Sequence, residues 1–451
     1  VQPRTKRAAI SRDLGFDKQS NGINWKWQYK LRHNWTKGSC TVKEVHVAAE
    51  ASIPPILARL HDGTIYMADK SNGLRAWSVN AHHVTAQLPL PNQAPPSSLA
   101  VAAASAGSSA AIVVVGHEDG SFAVLALRSD LSALTVLHNH QGKPTDAVIT
   151  AIALSWPYVV TLTATQNVTL YKFNTRRAKA PLRELASPTV LHTLTSRTIW
   201  PPLCISIRTS TSSVTVSIAF ALPTYLSGWT VGIQEISIDL EGTFLSSRVA
   251  SAIEEHFRPL TFASRPMFPH IVPFQPNFPG ITSTRETRHI HSKPISLSYT
   301  HPYLLVSHPD NTLTIYLVTS TAESLFVGPG SRLWGHTSSV SGAHVGRRGK
   351  AVSISKRGDE LRVWELEGGF SSLVAKKRLT DHALSVKIRP DQVSQDGLTI
   401  SSNTPRDLDG NEQSLSDLSI TRGWIGFDEE KVVFLREEGQ GKQILVIYDF
   451  T

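Results

Sequence analysis

Few residue groupings in this 451-residue chain have the types and spacing of catalytic or metal-binding chemistry. His289-Ile290-His291 would put two imidazoles on one face of a strand, the alternation a metal site can use, but no third ligand accompanies them. Asp407-Leu408-Asp409-Gly410-Asn411-Glu412 looks like a calcium loop until its glycine is counted, which comes too early, so a turn is expected. Gly439-Gln440-Gly441-Lys442 lacks the spacing of a phosphate-binding loop and suits a hairpin turn. There is no Gly-x-Ser-x-Gly elbow and no His-Glu-x-x-His pair. Asn34-Trp35-Thr36 and Asn167-Val168-Thr169 match glycosylation sequons by chance, given no apolar leader. No catalytic residue, metal site or cofactor is expected, and the chain reads as a binding protein rather than an enzyme.

The chemistry that stands out is aromatic. Asn24 to Gly38 contains Trp25, Trp27, Tyr29 and Trp35 among Lys26, Lys30, Arg32 and Lys37. As a helix it puts Trp27, Leu31 and Trp35 on one stripe at i, i+4 and i+8, with most cations elsewhere, so the stripe must pack on something. The charge follows the same terminus. Lys and Arg number 45 against 36 Asp and Glu, a net +9, and residues 1–50 alone carry ten basic side chains and four acidic ones. The excess is therefore a solvated basic arm rather than a basic face, and nucleic acid is disfavoured as a partner. Two cysteines, Cys40 and Cys204, provide no disulfide framework and favour a reducing compartment, cytoplasmic or nuclear. The most lipid-like stretch, Leu99 to Val115, is broken by Ser105, Gly107, Ser108 and Ser109, and no membrane span is expected.

The elements that would position these residues follow from a faint internal repeat. Each copy has an apolar strand, a turn rich in Asp, Asn, Gly or Ser, and a second strand ending in alternating apolar residues. The clearest copies are Leu333-Trp334-Gly335-His336 with Leu361 to Leu366, and Ile65 to Ala68 with Leu74 to Val79. Weaker endings at Leu125, Tyr171, Ile238, Tyr316 and Tyr448 bring the count to seven. Three of the spacings, 48, 46 and 48 residues, match a four-stranded blade, and the longer ones imply insertions. The fold expected is all-β: a seven-bladed β-propeller with an N-terminal helical linker. Residues 1–40 form the basic arm and linker. Residues 41–451 form the propeller, closed by strand 41–47 lying on Ile444 to Phe450, with insertions near 175–200, 251–294 and 391–422 and a small-residue connector over 102–111.

Trp25, Trp27, Tyr29, Lys30, Arg32, Asn34, Trp35, Gly38 and Cys40, directly before the ring, resemble the linker of F-box/WD-repeat proteins. The repeats are similar to WD repeats, most plainly at Gly335-His336 and Leu361 to Leu366. The resemblance implies a non-catalytic substrate-recognition subunit of a Skp–cullin–F-box ubiquitin ligase, with the propeller holding a protein substrate. The Skp-type adaptor would dock on an F-box upstream, since residues 1–23 hold none. Trp25, Trp27, Tyr29, Arg32 and Trp35 are then the link to the partner module. A general WD-repeat scaffold without ubiquitin transfer is the alternative, and a propeller hydrolase with paired carboxylates is the third.

The same resemblance implies where substrate would sit. In that family, basic side chains opening the turn before the third strand of a blade pair with phosphate oxygens. The matching positions are Lys70 and Lys356, and other copies offer Glu118, Thr165 and Pro309. Ser341 stands at a second such position. An arginine cluster is not reproduced, and the candidate substrate-binding residues are Lys70, Lys356, Arg357, Arg347 and Arg348.

Overall fold

The computed structural model describes residues 25–81, 83–104, 110–128, 133–142, 147–174, 185–195, 200–224, 228–252, 292–366, 385–390, 420–438 and 441–451. It is a seven-bladed β-propeller, almost all strand, with one helix, α1 (Trp25–Lys37), at its N-terminal side. Four antiparallel strands make blade 1: Leu57–His61, Thr64–Asp69, Gly73–Ser78 and His83–Leu88. Blades 2 to 4 begin at Pro96–Ala103, Ile149–Ser155 and Trp200–Thr209. Blades 5 and 6 begin at Ser296–Thr300 and Val340–Val345. The seven repeat endings legible in the sequence all fall on third strands, such as Gly73–Ser78 in blade 1 and Leu361–Glu365 in blade 6.

Blade 7 takes its inner three strands, Ile420–Phe427, Lys431–Glu437 and Gln443–Asp449, from the end of the chain and its fourth, Ser39–Ala48, from the beginning. The register runs Thr41 opposite Asp449 and Val45 opposite Leu445. This pairing removes the free edge that an open ring would expose. Arg436 holds it from the side, bridging Glu44 at 2.9 Å and Glu438 at 2.8 Å.

Sandwiching between neighbours explains the sequence of the inner strands. Ala110–His117 is a nearly continuous apolar run because both its faces are covered. Ala111, Val113 and Val115 meet blade 1, while Ile112 and Val114 meet blade 3. The described residues of the stretch that looked lipid-like thus fall mostly on two strands of blade 2, Pro96–Ala103 and Ala110–His117. The core is seven clusters, one at each junction between blades, and the cluster between blades 6 and 7 also takes in Leu31, Trp35 and Cys40.

Two expectations about connectors need correction. The span 175–200 is not all insertion, because Thr189–Thr195 is the outer strand of blade 3, paired with Asn167–Lys172. Residues 102–111 are not all connector: Ala102 and Ala103 pair with Ile112 and Ala111 as ends of two strands. Of these small residues, Ala111 is buried against blade 1 while Ala103 is exposed at its strand end. The basic arm before α1, most of 251–294 and most of 391–422 lie outside the described residues.

An antiparallel meander puts its turns alternately on two ends. One end of the ring carries the turns between strands 2 and 3 and the connections between blades. The opposite end carries the turns between strands 1 and 2 and between strands 3 and 4. These are the 2–3 face and the 1–2 face below.

Candidate protein-binding surfaces

On the 2–3 face, Lys70 sits in a turn that its neighbours fix. Asp69 accepts from the Asn72 backbone N–H at 2.6 Å and is paired with Arg75 at 2.6 Å, both charges being buried. Gly73 follows with φ +73°, and a side chain there would strike the Leu88 carbonyl oxygen at 2.3 Å, so only glycine fits. Arg75 also donates to the Val47 carbonyl at 3.1 Å, tying blade 1 to the end of the closing strand. Lys70 itself is exposed. Lys356 and Arg357 are exposed in the corresponding turn of blade 6, where the Ser355 hydroxyl donates to Asp359 at 2.5 Å and the Lys356 N–H to the Ser339 carbonyl at 2.7 Å. Glu118, Thr165 and Pro309, in the corresponding turns of blades 2, 3 and 5, and Ser341, half-buried at the start of blade 6, complete the sequence-derived set on this face.

Beneath the blade 6 turn runs a buried chain of polar groups. The Trp364 indole N–H donates to the Ser353 hydroxyl at 2.8 Å, and that hydroxyl reaches His336 Nε2 at 2.6 Å. Burial holds the His336 imidazole down at about 4, despite Glu360 at 3.5 Å, so it is neutral at neutral pH. Glu360 also takes the Thr337 N–H at 2.9 Å and pairs with Arg362 at 2.8 Å. The network joins the Gly335-His336 element to the third strand and fixes the turn that carries Lys356.

Sequence reasoning missed Trp334 as a contact residue on this face. It lies in the connection from blade 5 to blade 6, half-exposed, with the Arg332 guanidinium 4.9 Å from its ring. Arg332 is held in turn by Asp310 and by the Thr312 hydroxyl at 3.0 Å. A braced indole at a surface is the residue type that dominates binding energy in protein interfaces. The only sequence signal was its place beside Gly335-His336, where repeat spacing, not exposure, drew attention to it.

Arg347 and Arg348 are not on this face. They lie in the turn between strands 1 and 2 of blade 6, at the opposite end of the ring, where the meander necessarily carries them. The five basic candidates therefore do not form one site. Lys70, Lys356 and Arg357 share the 2–3 face, while Arg348 pairs with Glu429 of blade 7 at 3.2 Å on the 1–2 face.

That second face is where α1 docks. Trp35 is 4% exposed and stacks on Phe450, with ring centroids 3.9 Å apart and planes within 9°. Its indole N–H donates to the Glu429 carbonyl at 2.8 Å, and Lys350 Nζ lies 4.0 Å from its ring. Asn34 donates to the Phe450 carbonyl at 2.8 Å. Leu31 is buried and Trp27 half-buried against the same cluster. Trp25 and Tyr29, by contrast, are 66% and 74% exposed, and Arg32 is exposed. The five linker residues thus divide into a seated set (Trp27, Trp35) and an outward set (Trp25, Tyr29, Arg32).

Elsewhere, buried Glu235 in blade 4 receives Arg208 at 2.5 Å, Arg248 at 3.3 Å, Ser217 at 3.2 Å and Ser320 of blade 5 at 2.5 Å. Every carboxylate oxygen is satisfied, which makes this a clamp between blades. Among the described residues no three His, Cys, Asp or Glu side chains are grouped to hold a metal, and no helix is long and apolar enough to cross a membrane. His289-Ile290-His291 and Asp407 to Glu412 lie outside the described residues.

Comparison with known proteins gives three kinds of likeness. A family model described as the F-box protein pof12 beta-propeller matches residues 40–451. F-box protein pof12 of Schizosaccharomyces pombe (strain 972 / ATCC 24843) is 35% identical over 79 residues, 17% of this chain and 18% of that protein. Among solved structures, the computationally designed Ika8 protein aligns over 87% of this chain and 83% of its own, at 14% identity and a TM-score of 0.39. BamB from Moraxella catarrhalis aligns over 91% and 97%, at 8% identity and a TM-score of 0.41.

Proposed function

The chain belongs to the F-box protein pof12 beta-propeller family, and on that premise we propose that it is the non-catalytic substrate-recognition subunit of a Skp–cullin–F-box ubiquitin ligase. The propeller holds the protein substrate on its 2–3 face. A Skp-type adaptor binds an F-box upstream of the described helix. The observation that carries this reading is the seat of α1: the linker is docked on the 1–2 face between blades 6 and 7, so the 2–3 turns are left clear of it. Trp334, Lys70, Lys356 and Arg357 are the residues proposed to meet substrate. The polar chain through His336, Ser353 and Trp364 supports a WD-type repeat in blade 6, and the protein is proposed to work in the cytoplasm or nucleus.

The alternative, a scaffold propeller with no part in ubiquitin transfer, draws support from the split of the basic residues. With Arg347 and Arg348 on the other face, three of the five basic candidates, Lys70, Lys356 and Arg357, remain on the 2–3 face, which is sparse for a phosphate-reading surface. Coexpression of the protein, extended by its upstream sequence, with a Skp-type adaptor separates the readings. A stable 1:1 complex supports the ligase subunit, and its absence leaves the scaffold.

A further inference from the structure

The 1–2 face gathers cations and aromatics that the sequence assigns to separate jobs. Helix α1 carries Lys26, Lys30, Arg32 and Lys37 and no acidic residue. Lys350 of blade 6 lies over its Trp35, Arg348 pairs with Glu429, whose carbonyl takes the Trp35 N–H, and Arg347 is the exposed neighbour of Arg348 in the same turn. Burial holds the Lys350 pKa below the ordinary lysine value, opposed by Glu429 and Glu365 and helped by Arg348 and Arg32, so the helix and the blade 6 turn act on the same ammonium. Arg348 pairs with Glu429, whereas Lys26, Lys30, Arg32 and Arg347 have no ion pair among the described residues. Tyr29 and Trp25 stand exposed on the helix, and Lys26, Trp27, Tyr29, Lys30 and His33 line an open hollow of about 460 Å³ along it. Residues 1–24 add to the positive charge rather than cancel it, with Arg4, Lys6, Arg7, Arg12 and Lys18 against Asp13 and Asp17.

We infer that the outward side of α1, together with Arg347 and Arg348, is a second docking surface that takes an acidic, apolar-studded segment of a partner protein, on the opposite end of the ring from the proposed substrate face. Charge complementarity sets the partner's sign. The hollow beside Tyr29, walled by lysine stems, takes an apolar side chain, as amphipathic cations commonly allow. Glu365, Glu429 and Glu430 interrupt the cations at the blade end. A continuous phosphate backbone tracks such a pattern poorly, and one face of Tyr29 is already stacked on His33 at 6.2 Å. A protein surface alternating acidic and apolar groups matches both features.

The test is fluorescence anisotropy with the whole chain and a labelled peptide of repeating Glu-Leu-Glu-Phe, with the Lys-for-Glu peptide and a short DNA duplex alongside. The acidic peptide should bind, more weakly as salt rises, and the basic peptide should not. Arg347→Glu with Arg348→Glu should weaken binding about tenfold or more, and Tyr29→Ser about threefold, in line with the loss of charged and aromatic contacts. Arg347→Glu alone, which touches no ion pair, guards against misfolding of the double variant. Lys442→Glu, exposed in the turn between the second and third strands of blade 7, at the opposite end of the ring from α1 and not among the residues proposed to meet substrate, should leave binding unchanged. No binding of the acidic peptide, equal binding by all variants, or duplex DNA bound as tightly and lost in the same variants would each overturn the inference.

Discussion

Trp35→Ala tests how the linker is joined to the ring. The indole is buried, stacked on Phe450 at 3.9 Å, bonded through its N–H to the Glu429 carbonyl at 2.8 Å and covered by Lys350 at 4.0 Å. Truncating a large aromatic side chain in a packed site costs about 3–5 kcal/mol. Within that, the stack accounts for about 1 kcal/mol and the N–H bond for about another. Trp35→Phe keeps the stack and loses the bond, so it should cost only about 1–2 kcal/mol. Because Phe450 lies just after the third strand of blade 7 and α1 leads straight into the fourth, the damage should be local to the closure. The assays are urea unfolding followed by circular dichroism, and hydrogen exchange over Ser39–Ala48 and Gln443–Asp449. Faster exchange in both strands, ordered wild type, then Trp35→Phe, then Trp35→Ala, is expected. Trp35→Ala within about 1 kcal/mol of wild type, with unchanged exchange in both strands, would refute the reasoning.

Arg75→Ala leaves the Asp69 carboxylate buried without its cation and frees the Val47 carbonyl, so it should cost about 3–5 kcal/mol by chemical denaturation. Burial holds His308, His336 and His344 at about 4, below the ordinary 6.5, so the unfolded chain binds protons that the fold refuses between those values. Stability should therefore be full above pH 6.5 and fall as pH drops toward 4, by up to about 1.4 kcal/mol per pH unit for each histidine. His336→Gln should flatten that slope by about one proton in pH-dependent unfolding. Lys70→Glu and Lys356→Glu, both exposed, should leave stability within about 0.5 kcal/mol while reducing capture of substrate measured by quantitative co-precipitation.

The repeat count was legible because third strands bury alternate apolar residues, such as Leu74 and Ala76, Leu125 and Leu127, Val168 and Leu170, and Leu361 and Val363, against a neighbouring blade, so the same ending recurs along the chain. Loops carry no such constraint. Arg347 and Arg348 could be seen as basic turn residues, but a sequence gives no end of the ring to a turn until the strands on either side of it are counted. The seats of Lys350, Glu429 and Phe450 around Trp35 were hidden for another reason: they are brought to the helix by closure across more than 300 residues of chain, and nothing local marks them. Trp35 and Leu31 were visible as one stripe because helical spacing is local. Outer strands such as Thr189–Thr195 were missed since their polar alternation, Thr-Val-Leu-His-Thr-Leu-Thr, resembles a loop when one face meets water.

Ubiquitin transfer by the complex purified through this protein, extended upstream, is the most direct measurement of the proposed role. Cullin-dependent conjugates on a co-purifying protein, diminished by Trp334→Ala or by Lys70→Glu with Lys356→Glu, are predicted. A complex that contains neither adaptor nor cullin and forms no conjugates would contradict it.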